Sequence, residues 1–462
     1  MRNGEKLTRL SRLRRWLSPG MKLKRWLLVA FVGGFLILDG FGRLLNLQDF
    51  NLHVNETIDN LFSHKLSPWL LSGFFIVVGL ALVYYGIRQW MRSIVAAVSP
   101  QDGQRLIEVI YERRQLDRGY RLVAIGGGTG LSTVLRGLKE YTTNLTAIVT
   151  VTDDGGSSGR LRSELGVLPP GDIRNCLVAL ADSESMMADL FQYRFNEGDG
   201  LSGHSFGNLF IAAMCGIAGD FDRAIKESSR VLAIKGRVLP STLANVRLEA
   251  TLADGSIVTG ETLISKSALP IRRLRLVPGT CHALPEALEA ILAADMIVMG
   301  PGSLYTSIMP NLLVPGIAEA IERSKATKVY VCNIMTQPGE TTGMAASDHV
   351  RAVLEPTDRR LFDRTLINIE QPNRLLPVYE RDGAFQVMPD LERVAAYGVN
   401  PITGNFISES HSVRHDPQKL AQAIINILVA RAEANPLNAL IPSNQRRTPP
   451  APPPKSISAK TL

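Results

Sequence analysis

Residues 121–141 read "RLVAIGGGTGLSTVLRGLKEY". The opening "RLVAI" (121–125) is an apolar run of strand length. "GGGTG" (126–130) holds four glycines, and a helix-like segment follows. A strand that turns through glycine into a helix is the first unit of a parallel α/β sheet. Such a turn leaves the backbone N–H groups of the helix start open to an anion, with no side chains in the way. Gly127, Gly128, Thr129 and Gly130 are therefore candidate ligand contacts. Two familiar fingerprints fail here. G-x-G-x-x-G needs glycine at position 131, which is Leu131, and no lysine completes a Walker pattern. The stretch is neither a standard dinucleotide loop nor a P-loop. That weakens an NAD(P) dehydrogenase reading.

Outward from this unit the alternation continues. "LTAIVTVT" (145–152), "ADMIVMG" (294–300), "KVYVCNI" (328–334) and "TLINI" (365–369) read as strands between helix-like segments. This predicts an α/β fold, a parallel sheet with helices on both faces. "VRLEATLADGSIVTGETLI" (246–264) departs from the pattern. Its apolar–polar alternation around Asp254-Gly255 predicts a β-hairpin insertion, to which no chemistry is assigned.

Ligands of open parallel sheets bind beyond the carboxyl ends of the strands. The second strand ends there in "TVTDDGGSSGRLRSE" (150–164). Asp153 or Asp154 could bond a ribose hydroxyl or hold Mg²⁺ against a phosphate. Gly155 and its small neighbours let the backbone come close, and Arg160 and Arg162 supply charge for phosphate. "PPGDIRNCLVALAD" (169–182) reads as a helix with Asp172 at the N-cap and Arg174 and Asn175 in the first turn. Arg174 reads equally as a phosphate ligand or a surface cation. "SGHSFGNLF" (202–210) brings His204 and Asn208 to another helix start, with His204 expected to bind rather than catalyse. "MGPGSLYTSIMPN" (299–311) adds Gly302, Ser303, Thr306 and Ser307, and "NIMTQPGETTG" (333–343) is a further polar glycine loop. Four such loops at one end of a sheet favour a phosphate-bearing ligand. No Ser-His-Asp or Cys-His pattern and no paired metal histidines are present, so no catalytic residue is assigned.

The rest of the chain concerns location. Nine Lys or Arg stand against Glu5 within residues 1–25, which accounts for the whole net charge of +8. The remaining charges balance, so nucleic acid is not an expected partner. Cys176, Cys215, Cys281 and Cys332 form no CxxC pair, which fits a reducing compartment. Trp69–Ile87 is a 19-residue run without charge, and an earlier run from Trp26 meets Asp39. A basic cytosolic head (1–25), a two-helix transmembrane hairpin (26–87) and a connector (88–120) are expected. An α/β body (121–434) and a disordered Pro-rich tail (435–462) follow. The protein would be multi-pass in the inner (plasma) membrane with its large domain in the cytoplasm.

"GGGTGLSTVLRGLK", "DDGGSSGRLR", "PPGDIRNCLVALAD", "GHSFGNL", "GPGSLYTSIMPNLL", "VYVCNIMTQPGET" and "SVRHDPQKLA" cover about 120–430. Through them the chain closely resembles the YvcK-type gluconeogenesis factors, relatives of the CofD-like 2-phospho-L-lactate transferases. The resemblance implies a Rossmann-like fold that binds UDP-N-acetylglucosamine or a related nucleotide. It also implies a regulatory role in central carbon metabolism and in cell-wall and cell-shape homeostasis. Arg414 of "RHD", and Tyr379, would contact the nucleotide sugar. In the transferase relatives an acidic position, matched by Asp153 and Asp154, holds a divalent metal. A Mg²⁺-dependent transferase moving a phosphoryl-linked group is therefore the alternative to a non-catalytic binder. No other cofactor is called for, and homo-oligomerisation stays open.

Overall fold

In the computed structural model, the described residues are 23–45, 68–98, 114–182, 185–372, 374–409 and 412–433. The head up to residue 22, the loop 46–67, connector residues 99–113 and the Pro-rich tail lie outside them. The chain divides into two compact units, Met1–Glu112 and Arg113–Leu462.

The first unit contains α1 (Leu23–Leu44) and α2 (Pro68–Val98). Both are long and apolar enough to cross a membrane. Their exposure is inverted relative to a water-soluble hairpin. Ser72 is buried, while Leu28, Phe31, Trp69 and Val77 point outward. The helix backbones nearly touch, since a Cβ added at Gly33 would lie 2.7 Å from the Gly79 carbonyl oxygen, and the reverse holds for Gly79. Small residues allow this approach where van der Waals packing holds helices together. Asp39, which interrupts the first apolar run, accepts a hydrogen bond from Arg43 Nε at 3.0 Å one turn away. The pair cancels its own charge, which lowers the cost of carrying it in an apolar helix. α2 continues past Arg88 to Val98, so the segment expected to be a connector begins as helix.

The strands of the second unit, in chain order, are β1 (Leu122–Gly126), β2 (Leu145–Val149), β3 (Arg237–Pro240), β4 (Arg247–Leu252), β5 (Ile257–Thr259), β6 (Ile271–Val277), β7 (Met296–Met299), β8 (Thr327–Val331), β9 (Arg364–Asn368), β10 (Asn400–Gly404), β11 (Ile407–Glu409) and β12 (Val413–His415). Helices that bear on the site are α3 (Gly128–Leu138), α4 (Gly156–Leu165), α5 (Gly171–Leu180), α6 (Phe206–Ala218), α7 (Pro285–Ala293), α8 (Ile317–Arg323), α9 (Ala346–Thr357) and α10 (Pro417–Glu433).

Seven strands form one sheet in the order β10-β9-β8-β7-β1-β2-β3. Every neighbouring pair is parallel. β1, β2 and β7 are buried along their whole length, which is why they read as unbroken apolar runs rather than alternating ones. From β1 the chain steps one way to β2 and β3. From β7 it steps the other way to β8, β9 and β10. Parallel crossovers are right-handed as a rule, so steps in opposite directions place the helices on opposite faces. α3 packs with α5 and α10, and α7 with α8. The order reverses between β1 and β7, and the strand ends open a crevice there.

β2 stops at Val149, short of the expected Thr152, and the Thr150 and Thr152 hydroxyls bond each other at 2.9 Å. The expected hairpin forms between β4 and β5. Gly255 takes φ +84°, and Asp254 Oδ1 accepts from the Ser256 N–H at 2.9 Å. β6 joins it to make a three-stranded antiparallel sheet, β5-β4-β6.

Candidate functional site

A cleft of about 250 Å³ opens at the switch point. Gly127, Gly128, Thr129 and Gly130 line it from the loop after β1, with Gly302, Ser303 and Ser307 from the loop after β7. Gly130 has to be glycine. A Cβ there would lie 2.3 Å from the Pro301 carbonyl oxygen and 2.8 Å from the Gly302 Cα, so the two loops touch backbone to backbone. Gly128 takes φ +61° as it enters α3.

The loop after β8 braces the second wall. Asn333 Nδ2 donates to the Gly302 carbonyl at 2.9 Å, and Asn333 Oδ1 accepts from the Gly302 N–H at 3.2 Å. Gln337 Nε2 donates to Ser303 Oγ at 2.9 Å. Tyr379 and Arg414 come to the same cleft from far along the chain. Tyr379 Oη accepts from the Val413 N–H at 3.0 Å, which ties the tyrosine to the β11–β12 ribbon. Among the described residues Arg414 is the one cation lining the cleft, and no carboxylate lines it. His415 also lines it. Burial pushes the His415 imidazole down to about 4, so the ring is neutral at physiological pH. Among the described residues its Nε2 is buried without a partner.

A second polar layer adjoins the cleft at the end of β2. Asp172, expected to cap its own helix, does something else. α5 starts at Gly171 with Pro170 at the N-cap, and Asp172 falls within the first turn. Its carboxylate reaches across to the start of α3, where the Gly128 N–H draws its pKa down. A Cβ on Gly127 would lie 2.5 Å from Asp172 Oδ2. Asp172 thus caps α3, where a carboxylate complements the helix dipole. The carboxyl is crowded by protein yet keeps some solvent access. Burial and the charge of Asp153 together raise it to about 6.

Asp153 and Asp154 diverge. Asp153 Oδ1 accepts from the Gly155 N–H at 2.9 Å. Asp154 Oδ1 accepts from the Thr262 N–H at 2.9 Å and from Thr262 Oγ1 at 2.8 Å. Asp154 therefore latches the inserted sheet to this loop. Gly260 permits that, since a Cβ there would lie 2.2 Å from Asp154 Oδ2 and φ is +105°. Glu261 lies beside them, and burial followed by Asp153 and Asp172 pushes its carboxyl up. Among the described residues no group of three or more His, Cys, Asp or Glu is arranged to hold a metal ion. Thr262 takes Asp154 Oδ1, which leaves its Oδ2 for a Mg²⁺ shared with Asp153. Asp153 keeps one carboxylate oxygen clear of its own turn and acts on Asp172 and Glu261.

Beyond this acidic group, Ser157 Oγ lies 2.9 Å from His204 Nδ1 and accepts from Asn208 Nδ2 at 3.1 Å. All three side chains are buried. Burial and the nearby Arg160 push the His204 pKa down. This Ser–His contact, invisible in sequence spacing, packs the start of α6 against α4. It is closed to a substrate. Arg174 donates to Ser205 Oγ, the N-cap of α6, and Arg174 Nη2 donates to Asn175 Oδ1 at 2.8 Å. Arg160 Nη2 donates to the Ser202 carbonyl at 2.7 Å. Thr306 donates to Glu340 Oε1 at 3.0 Å and does not line the cleft.

Nine of the sequence-derived candidates thus meet in the cleft: Gly127, Gly128, Thr129, Gly130, Gly302, Ser303, Ser307, Tyr379 and Arg414. Asp153, Asp154, Gly155, Arg160, Arg174, Asn175, His204 and Asn208 belong to the adjoining layer. Asn333, Gln337, His415 and Asp172 were missed as contacts, although each lies in a stretch the sequence singled out.

Comparison with known proteins agrees with this architecture. The family described as "CofD: 2-phospho-L-lactate transferase CofD" matches residues 122–407. The gluconeogenesis factor of Bacillus subtilis (strain 168) is 48% identical over 310 residues, 67% of this chain and 98% of its own length. A relative from Nostoc sp. (strain PCC 7120 / SAG 25.82 / UTEX 2576), which carries that name provisionally, is 48% identical over 417 residues, 89% of this chain and 91% of its own. A crystal structure of a UPF0052-family protein from Bacillus halodurans superposes with a TM-score of 0.65 at 49% identity, covering 66% of this chain and 99% of that one. The chain belongs to the CofD family, among its gluconeogenesis factors.

Proposed function

We propose that this protein is a membrane-tethered regulator that binds UDP-N-acetylglucosamine in the switch-point cleft without turning it over. In this reading it acts on central carbon metabolism and on cell-wall and cell-shape homeostasis. The observation that carries it is the convergence of Tyr379 and Arg414 with the glycine loops on one cleft. Backbone N–H groups and a single arginine suit a diphosphate. Tyr379 offers a ring face, and His415 Nε2 a buried polar atom with no partner among the described residues. α1 and α2, with the basic head before them, support the tether. The names of the relatives support a role in carbon metabolism.

Incubation with UDP-N-acetylglucosamine and Mg²⁺, followed by chromatography, tests this reading. The nucleotide sugar is expected back intact. Release of UMP or UDP, with water taking the sugar phosphate or sugar in place of the acceptor, would instead favour the second reading, a Mg²⁺-dependent transferase. That reading draws on the family description and on Asp153 and Asp154, the acidic pair at the end of β2. Bound Mg²⁺ would supply charge neutralisation for a phosphate there.

Asp172 adds a pH signature. Its carboxylate faces the helix start that a bound phosphate would use. Below about 6 the carboxyl is neutral and the repulsion vanishes; above it the charge opposes binding. In EDTA, affinity for the nucleotide sugar is expected to weaken by about tenfold between about pH 5 and about pH 8. Asp172→Asn should bind more tightly at the upper end and lose the slope. Titrations at both pH values check this, and a slope unchanged in the variant assigns it elsewhere.

A further inference from the structure

Among the described residues a second groove is larger than the switch-point cleft. This groove, of about 990 Å³, runs between the inserted sheet and α9. β6 forms one wall. Tyr305, Met309 and Leu313 contribute an apolar floor, and Arg351 and Glu355 stand on the opposite wall.

β6 is unusual in three respects. At seven residues it is the longest strand among the described residues. It is also an outer strand of its sheet, paired with β4 on one side only. Among the described residues no further backbone hydrogen bond involves it. Finally, it reads "IRRLRLV", and all three arginines are exposed. Arg275 pairs with Glu249. Arg272 and Arg273 line the groove and have no partner among the described residues. The carboxylates of the lining are mostly engaged. Glu340 accepts from Ser265 and Thr306, and Asp348 pairs with Arg351.

An open edge is a template for pairing, which proteins ordinarily shorten, cover, charge or bulge; β6 carries a register shift at Arg272, and from Arg273 to Val277 its pairing with β4 is regular. We infer that β6 and its groove accept an extended acidic segment of a partner protein, added beside β6 as a further strand. Main-chain bonds to the open edge would supply affinity, and Arg272 and Arg273 would select for acidic side chains. A second copy of this chain is a poor occupant, because antiparallel pairing of two β6 strands sets arginines against arginines. The chain's own tail is no better, since residues 434–462 hold four basic residues and no acid. This inference rests on no property of the switch-point cleft.

The test uses full-length protein in detergent and fluorescence anisotropy. The probe is a labelled peptide of about ten residues alternating Glu and Val, long enough to span β6. A Lys/Val peptide and a Glu/Val peptide with alternate amides methylated serve as comparisons. The Glu/Val peptide is expected to bind saturably, with the Lys/Val peptide at least about tenfold weaker. Methylation should abolish binding. Arg272→Glu with Arg273→Glu should weaken it by about tenfold, at an unchanged melting temperature. Arg223→Glu with Arg230→Glu, on the helix Phe221–Val231, should leave it unchanged. Absence of saturable binding, indifference to methylation, or equal weakening in both double variants would overturn the inference.

Discussion

Gly130→Ala is expected to close the switch-point cleft. The new Cβ would lie 2.3 Å from the Pro301 carbonyl oxygen, 2.7 Å from its carbon and 2.8 Å from the Gly302 Cα. All three are backbone atoms, so no side chain can rotate away. The loops after β1 and β7 must separate by about 1 Å to restore ordinary contact, and a shift of that size at a positioned site costs about 100-fold in function. Overpacking adds about 1–3 kcal/mol of destabilisation, which in a body of this size lowers the melting temperature by several degrees. The control is Gly216→Ala. Gly216 sits on the exposed side of α6, and a Cβ there meets nothing within 4 Å. That substitution should be neutral or stabilising by up to about 1 kcal/mol. Thermal unfolding and nucleotide-sugar titration of both variants check the pair. If Gly130→Ala binds like the parent, the cleft between these loops is not the binding site.

Arg414→Ala is expected to weaken ligand binding while leaving the fold alone. Arg414 is exposed on β12, and among the described residues it is the only cation lining the cleft. A charge-assisted hydrogen bond contributes about 1.5–3 kcal/mol, so affinity should fall by about 10- to 100-fold. The melting temperature without ligand should not move. Arg414→Lys keeps the charge but loses the planar fork, and an intermediate affinity is expected. Equal binding by Arg414→Ala and the parent would remove the arginine from the account.

What could be read from the sequence, and what could not, follows from burial and distance along the chain. β1, β2, β7, β8 and β9 announce themselves because strands covered on both faces must be apolar throughout. β3 and β10 do not. They are the sheet's edge strands, four and five residues long, and they carry Pro240 and Pro401, which an edge tolerates and a central strand would not. The glycine loops were legible by composition, because close backbone approach excludes side chains. The role of Asp172 was not. Its sequence neighbours suggest a local cap, and only the packing of α5 against α3 brings it to Gly128. Glu261 and Thr262 sit in an insertion that alternation alone identifies as a hairpin. Their contact with the Asp153–Asp154 loop joins residues more than a hundred positions apart.

Calorimetric titration of the full-length protein in detergent tests the central claim most directly. UDP-N-acetylglucosamine, UDP-glucose and GDP are compared in EDTA and in Mg²⁺. The account predicts selective binding of the N-acetylglucosamine nucleotide in EDTA, little changed by Mg²⁺. Absence of uridine-nucleotide binding, with GDP bound only in Mg²⁺, would contradict it and leave the transferase.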